Sequence, residues 1–244
     1  MRYLIIGAAA FLAVAAPGIA TAQTGYAGAA YGNIDDGADS SEVYGGEGSV
    51  AFQASDTISV EVDASILDGD VSDTATGLTG HVYGRNDDHL FGGFVGIADS
   101  GSSQTWNAGL EANKYFSNWT LAGAVFYANN DDVDADGYGV NAEARLFPTD
   151  NFRVQGNVGL ASANFSGNDD TAITLGVGGE YQFDGSPVSI ALGYNHTELT
   201  DANDEVDALW VGIRFNWGGT LRERDRKGAS QAGILGFGSS FLGL

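Results

Sequence analysis

Apolar and polar residues alternate with a period of two along most of this sequence. In the segment Thr57 to Ile66, every second side chain is apolar, and Ser59, Glu61, Asp63 and Ser65 occupy positions between them. This period indicates a β-strand that turns one face toward an apolar medium and the other toward a polar one.

The same alternation recurs in twelve segments, and each of them predicts a strand. The lengths suit tilted strands that cross a bilayer, which need ~9–11 residues. The predicted strands are 25–34, 43–54, 57–66, 75–85, 89–98, 105–116, 119–128, 137–147, 152–163, 172–183, 187–197 and 208–217.

The predicted connections also alternate in length. Those after even strands are short and made of turn-forming residues, such as Ser55-Asp56, whereas those after odd strands, such as Asp35 to Glu42, are longer. Outer-membrane barrels combine an even strand count with short periplasmic turns and longer extracellular loops. We therefore predict an all-β, transmembrane, antiparallel up-and-down β-barrel of about 12 strands over residues 23–217. A barrel of ten strands and a soluble β-barrel are the alternatives.

Composition and charge narrow the setting of this barrel. Residues 1–22 have a basic start, a short apolar stretch and a small-residue exit at Ala20 to Ala22, the layout of a secretory signal peptide. The chain has no cysteine, so neither a disulfide nor a cysteine-ligated metal is available. A net charge of −22 disfavours nucleic acid as a partner. The expected partners are outer-membrane lipids, lipopolysaccharide and small hydrophilic solutes.

The predicted strands place a set of charged side chains on the face opposite the apolar residues. If the barrel spans a membrane, that face lines the lumen. The arginines are expected in the periplasmic half, with Glu111 and Glu180 low enough to pair with them and the other acids at mid-height or above. The predicted lumen-lining charges are Glu47, Glu61, Asp63, Arg85, Glu111, Glu143, Arg145, Arg153, Glu180 and Arg214. Six acids against four arginines, beneath acidic loops, favour the passage of cations.

The last predicted strand carries the most specific pattern. Its apolar residues resemble the terminal insertion signal of outer-membrane barrels; they are Leu209, Val211, Ile213, Phe215 and Trp217. Together with the leader and the twelve strands, nearly the whole chain resembles the small porin-like outer-membrane proteins of Gram-negative bacteria. That resemblance implies an outer-membrane location with extracellular loops and both termini in the periplasm.

The chain departs from that family because residues 218–244 follow the terminal aromatic. The first part of this predicted periplasmic tail, Thr220 to Gly228, is basic and is expected to be solvated. The second part, Gly233 to Leu244, is apolar and glycine-rich. A disordered tail, a contact with a partner and an additional strand are the three readings of this apolar part.

Two further candidate sites are weaker. Asp132, Asp134 and Asp136 have the spacing of a calcium loop, and they are candidates for a looser Ca²⁺ site because strands and not helices flank them. No cofactor is expected, although nineteen of the 32 acidic residues fall in the six longer connections and could bind divalent cations there. A lipid hydrolase would need a histidine base, and only His81, His89 and His196 are available.

The sequence therefore predicts a non-enzymatic, porin-like pore for passive diffusion of small hydrophilic solutes, with a preference for cations. A structural or interaction barrel with a plugged lumen is the alternative, and an outer-membrane lipid hydrolase is third. Strand count does not decide whether the lumen conducts, since twelve lies between filled eight-stranded barrels and open channels of ~16–18 strands. The solute, the oligomeric state and the role of residues 218–244 stay open.

The predicted location has a simple test. The protein should fractionate with outer membranes, and on a denaturing gel the unboiled barrel should migrate faster than the boiled chain. A mature form that stays soluble without detergent would contradict the membrane barrel.

Overall fold

The fold is described by a computed structural model that covers residues 24–69, 74–101, 103–130, 132, 134–165, 168–200 and 204–228. The predicted leader, residues 1–22, lies outside the described residues. So does the apolar part of the predicted tail, Gly233 to Leu244.

Twelve antiparallel strands make up almost all of the described chain, so the predicted strand count is confirmed and the ten-stranded alternative is wrong. The strands are β1 (Thr24–Asp35), β2 (Ser40–Gln53), β3 (Ile58–Gly69), β4 (Ala75–Arg85), β5 (His89–Ser100), β6 (Ser103–Tyr115), β7 (Trp119–Asn130), β8 (Ala135–Thr149), β9 (Phe152–Phe165), β10 (Asn168–Gln182), β11 (Val188–Leu199) and β12 (Asp204–Trp217).

The sheet closes on itself. Each strand pairs with its neighbours in sequence, and β1 pairs with β12 from Gly25 opposite Trp217 to Asp35 opposite Asp207. Closure leaves no strand edge whose amide and carbonyl groups lack a partner. We call the end where β1 begins and β12 ends the terminal end, and the other the opposite end.

The distribution of apolar and polar side chains between the outer and inner faces is the reverse of that in a soluble barrel. Outward apolar side chains are widely exposed, for example Phe91 at 64%, Val95 at 66% and Leu209 at 60%. Inward Glu61 and Glu180 are each 1% exposed. A soluble barrel would bury the first set and expose the second, because apolar surface is favourable only away from water. The outer face is therefore suited to a hydrocarbon environment.

Strand pairing continues farther than the sequence predicted. The longer connections expected at 35–42 and 129–136 shrink to residues 36–39 and 131–134. Pairing persists to the strand tips, where Asn130 lies opposite Ala135, because ladder hydrogen bonds form whatever the side chains are. Acidic residues such as Asp136 and Asp207 thus lie on strand ends and not in long loops.

The chain after β12 differs most from expectation. Gly218 and Gly219 have φ angles of 94° and 122°, values that favour glycine, and the short helix α1 (Leu221–Asp225) follows them. Leu221 is 2% exposed and Asp225 is 7% exposed, so the prediction of a solvated segment at Thr220 to Gly228 is wrong. We call residues 218–228 the re-entrant segment. Among the described residues, no helix is both long and apolar enough to span a membrane.

The inverted polarity predicts a specific response to an outward charge. Val211, near the middle of β12, is 50% exposed on the outer face. Val211→Arg should destabilise the barrel by ~2–4 kcal/mol, the cost of arginine on the lipid face near the bilayer midplane. Urea unfolding in lipid vesicles would measure this loss, with Ser55→Arg in a hairpin as the control. Equal stability of the two variants would contradict a lipid-facing Val211.

Candidate functional site

The lumen is the candidate functional site, and all ten charged residues predicted to line it lie on the inward face. On each strand they occupy the same alternate positions as the buried polar residues, and we call this shared odd or even position strand parity. Most of them contact side chains of other strands. The apolar residues of the predicted insertion signal, from Leu209 to Phe215, lie on the opposite, outward face. Eight of these charges fall into three clusters, whereas Glu61 contacts Ser49 and Tyr83, and Arg85 contacts the chain after β12.

The first cluster is centred on Arg214 at the terminal end. This guanidinium donates from Nε to Glu47 Oε1 (2.6 Å) and from Nη1 to Glu180 Oε2 (3.1 Å). Arg153 donates to the same oxygen of Glu180 (2.7 Å), and Ser189 donates to its other oxygen (2.5 Å). One buried carboxylate therefore joins two arginines from different strands, and the pairing compensates the cost of taking these charges out of water.

The second cluster joins the wall to the re-entrant segment. Arg145 donates from Nη1 to Asp225 Oδ1 in α1 (2.8 Å), and its Nε also pairs with Glu143. Thr120 donates to the other oxygen of Asp225 (2.6 Å), and Gln155 donates to Glu143 Oε2 (3.1 Å). Asp225 thus contributes a carboxylate that the strands themselves do not supply to Arg145.

The third cluster surrounds a histidine. The two ring nitrogens of His81 face carboxylates, Nε2 at 3.0 Å from Asp63 Oδ2 and Nδ1 at 2.9 Å from Glu111 Oε1. The ring of Phe94 lies beside it, with centroids 5.6 Å apart. Glu111, which was expected near the arginines, contacts this histidine. A protonated imidazole can donate to both carboxylates at once.

The re-entrant segment crosses the terminal end of the lumen from β12 to the far wall. The hydroxyl of Tyr83 lies 2.8 Å from the Lys227 carbonyl oxygen, and Arg85 donates to the Arg226 carbonyl oxygen (2.9 Å). Arg226 itself donates to the Phe116 carbonyl oxygen. Backbone and side chains of the segment are therefore held by strands on the side of the barrel that faces β12.

Electrostatics also favour the helix in this position. The backbone N–H of Thr220 donates a hydrogen bond to the carboxylate of Glu223 and lowers its pKa. This capping carboxylate therefore stays ionised. Burial lowers the pKa of Arg224 to about 10, and the carboxylate of Glu180, 3.7 Å away, opposes that shift. Arg224 therefore remains charged at neutral pH.

Little free space is left between the helix and the first cluster. A cavity of about 30 Å³ lies there, lined by Tyr26, Glu61, Arg153, Arg214 and Arg224 among others. That volume holds about one water molecule. The lumen is thus constricted at the terminal end.

Toward the opposite end, large inward rings lie against the wall. The indole of Trp210 covers Gly193 on the adjacent strand, where an added Cβ would lie 2.7 Å from the ring. The ring of Phe94 covers Gly109 in the same way. Glycine at these positions lets each ring lie flat beside the neighbouring strand instead of projecting across the lumen.

The remaining predicted sites concern a metal ion and a histidine base. Within the described residues, no group of three or more His, Cys, Asp or Glu side chains is arranged to hold a metal ion. The carboxylate of Asp132 instead accepts from the Gln104 backbone N–H (2.8 Å). His196 contacts Asp207 (2.9 Å), and in the described part of the chain no serine hydroxyl is bonded to His196 or His81. A Ca²⁺ site on this loop therefore stays a prediction.

Sequence reasoning missed the contribution of the re-entrant segment. Its four basic residues suggested a solvated run, but Asp225 and Leu221 are the buried members. One readable signal was present: Thr220 and Glu223 have the spacing of a capping box, and both reciprocal hydrogen bonds form. Such a motif indicates a defined helix start in place of an extended tail.

Comparison with known proteins places the fold and nothing finer. No family model matches the sequence, and no curated protein does. Among solved structures, the chain is similar to the NanC porin, with 7% identity, a TM-score of 0.58, and coverage of 78% of this chain and 98% of that one. It is also similar to the KdgM porin, with 9% identity, a TM-score of 0.55, and coverage of 78% and 99%. A KdgM porin in complex with disordered oligogalacturonate gives 8% identity, a TM-score of 0.54, and coverage of 79% and 99%.

The Arg145–Asp225 contact predicts how the re-entrant segment is retained. Asp225→Ala removes one partner of a buried ion pair, a change that typically costs ~3–5 kcal/mol, and should release the segment. Trypsin should then cleave after Arg222 to Lys227 many times faster than in the unchanged protein, as read from the mass of the shortened chain. Asp150→Ala is the control, because the Arg222–Asp150 pair (2.9 Å) is exposed and such pairs contribute ~0–1 kcal/mol. Equal protection of all three proteins would contradict the anchoring role.

Proposed function

We propose that this chain is an outer-membrane pore for the passive diffusion of small hydrophilic solutes. The observation that carries the proposal is the inverted barrel, with an apolar outer surface around a lumen lined by charged and polar side chains. Its fold is that of small porins, which supports the same conclusion at the level of architecture. The pore is constricted at the terminal end by the re-entrant segment.

We further propose that the pore prefers cations. Nine of the ten basic residues follow the predicted leader, and all nine lie in the terminal half: Arg85, Lys114, Arg145, Arg153, Arg214, Arg222, Arg224, Arg226 and Lys227. The strand tips and turns at the opposite end carry acids instead, such as Asp35, Asp36 and Asp39. A mouth with one sign of charge concentrates counter-ions, so cations are favoured at entry.

A barrel permanently closed by its own chain is the second candidate. The crossing of the terminal end by α1 is the observation that favours it. The two functions differ in the full chain, since a pore conducts with the re-entrant segment in place and the closed barrel does not.

Single-channel recording in planar bilayers separates the two. The full mature chain should give small conductance steps, and a variant that ends at Trp217 should give steps several-fold larger because the constriction is gone. The faster gel migration of the unboiled variant would verify that it is folded. Absence of conductance in the full chain would overturn the pore and support the closed barrel, whether or not the shortened variant conducts.

Selectivity can be tested at the acidic mouth. At low salt concentrations, charges act over distances of up to ~30 Å before they are screened. The reversal potential measured in a gradient of such concentrations should therefore indicate a preference for cations. Replacing Asp35, Asp36 and Asp39 by Asn should reduce that preference. The matched control replaces Asp56, Asp87 and Asp88, which lie in terminal-end hairpins. Anion preference, or an equal effect of both triple variants, would contradict the charge map.

A further inference from the structure

Four guanidinium groups surround the small cavity between α1 and the first cluster. Its volume is about 30 Å³, and its charged lining residues are Arg145, Arg153, Arg214, Arg224, Glu61 and Asp225. Arg224 belongs to the re-entrant segment, whereas the other three arginines lie on β8, β9 and β12. The cavity therefore lies where the segment meets the barrel wall, and its lining has twice as many guanidinium groups as carboxylates.

Two of these arginines each have a buried donor without an acceptor. Within the described ranges, the Nε atoms of Arg153 and Arg224 have no hydrogen-bond partner. Both side chains are enclosed, with exposed fractions of 6% and 10%. A guanidinium has only donors, and a buried donor left without a partner is unfavourable. The two groups therefore require an acceptor.

The nearby carboxylates already accept hydrogen bonds from other donors. Both oxygens of Glu61 and both oxygens of Asp225 are acceptors in this way. Glu180 accepts from Arg153 through Nη2 (2.7 Å), and its carboxylate lies 3.7 Å from Nη2 of Arg224. Neither contact uses Nε. The acceptor that these two Nε–H groups require must therefore come from a molecule or ion in the cavity.

The size and charge of the cavity limit what it can hold. A volume of about 30 Å³ accommodates one water molecule or one ion of similar size, and it is too small for an organic solute. A cation would be repelled by the surrounding guanidinium groups. An anion can accept from several N–H donors at once, and such charge-assisted hydrogen bonds are roughly twice as strong as neutral ones. A monatomic anion meets both limits.

We propose that this cavity binds a single chloride ion, held by Arg153 and Arg214 of the wall and by Arg224 of the re-entrant segment. The ion joins two parts of the chain that no strand ladder connects. Because chloride binds the barrel with the segment in place, it stabilises that arrangement by mass action. None of the tests below measures conductance, so the site and the proposed pore can fail independently of each other.

Anomalous diffraction tests occupancy of the cavity in the unchanged protein. Crystals grown with sodium bromide in place of sodium chloride should give an anomalous peak in the cavity, at hydrogen-bond distance from Arg153 and Arg224. A water molecule there without anomalous signal would overturn the proposal. Bromide bound only elsewhere on the protein would overturn it as well.

Protection from trypsin tests the site in solution. Cleavage after Arg222 to Lys227 should be several-fold slower in sodium chloride than in sodium gluconate of the same ionic strength, because gluconate is too large for the cavity. Cleavage of a short arginyl peptide in each salt corrects for any effect of the salt on trypsin itself. Equal cleavage of the barrel in the two salts would overturn the proposal.

A pair of variants assigns the chloride effect to this cavity. Arg153→Gln should abolish the difference between the two salts, because glutamine is shorter and carries no positive charge. Arg222→Gln is the matched control and should keep the difference, because Arg222 is 38% exposed and pairs with Asp150 outside the cavity. Faster gel migration before boiling verifies that each variant is folded, and if Arg153→Gln does not fold, the bromide peak of the unchanged protein decides. A salt difference that persists in folded Arg153→Gln would overturn the site.

Discussion

The pairing of β1 with β12 is the constraint on which the rest of the structure depends. Eleven of the twelve strand pairings join neighbours in sequence, but this one joins residues almost two hundred positions apart, as the Thr24 hydroxyl contact with the Trp217 carbonyl oxygen shows. It satisfies the last free ladder groups and separates an inside from an outside. Only after that separation do the alternate positions of each strand form two different surfaces, an apolar outer surface and a charged lumen.

Once inside, the charges must be paired, because burial of an uncompensated ion costs several kcal/mol. The barrel meets this requirement with shared carboxylates: Glu180 serves Arg153 and Arg214, and Asp225 adds a second acid to Arg145. The second case shows why residues after the last strand belong to the barrel. The helix brings both a buried leucine, Leu221, and a buried carboxylate, Asp225, into a polar cavity.

The strands could be predicted from the sequence because alternation is a local property, and all twelve are present. Their ends could not, since continued pairing depends on the partner strand: Asn130 is paired because Ala135 lies opposite it. In the lumen, inward placement of Arg214 follows from parity, but its partner Glu47 is 167 residues away and no local pattern connects them. Burial of Asp225 depends on Arg145 of a distant strand, whereas the basic composition around Asp225 alone suggests a solvated segment.

The crossing of α1 from β12 to the far wall has a consequence for biogenesis. Contacts between distant parts of a chain form late in folding, because their loop-closure entropy must be overcome first. The seam between β1 and β12 is the most distant pairing, and the anchors Thr120 and Asp225 are 105 residues apart. The helix must therefore lie within the curling sheet before the seam closes, or thread afterwards through the open terminal mouth. In both routes, placement of the helix belongs to the same late stage of assembly as the pairing of β1 with β12.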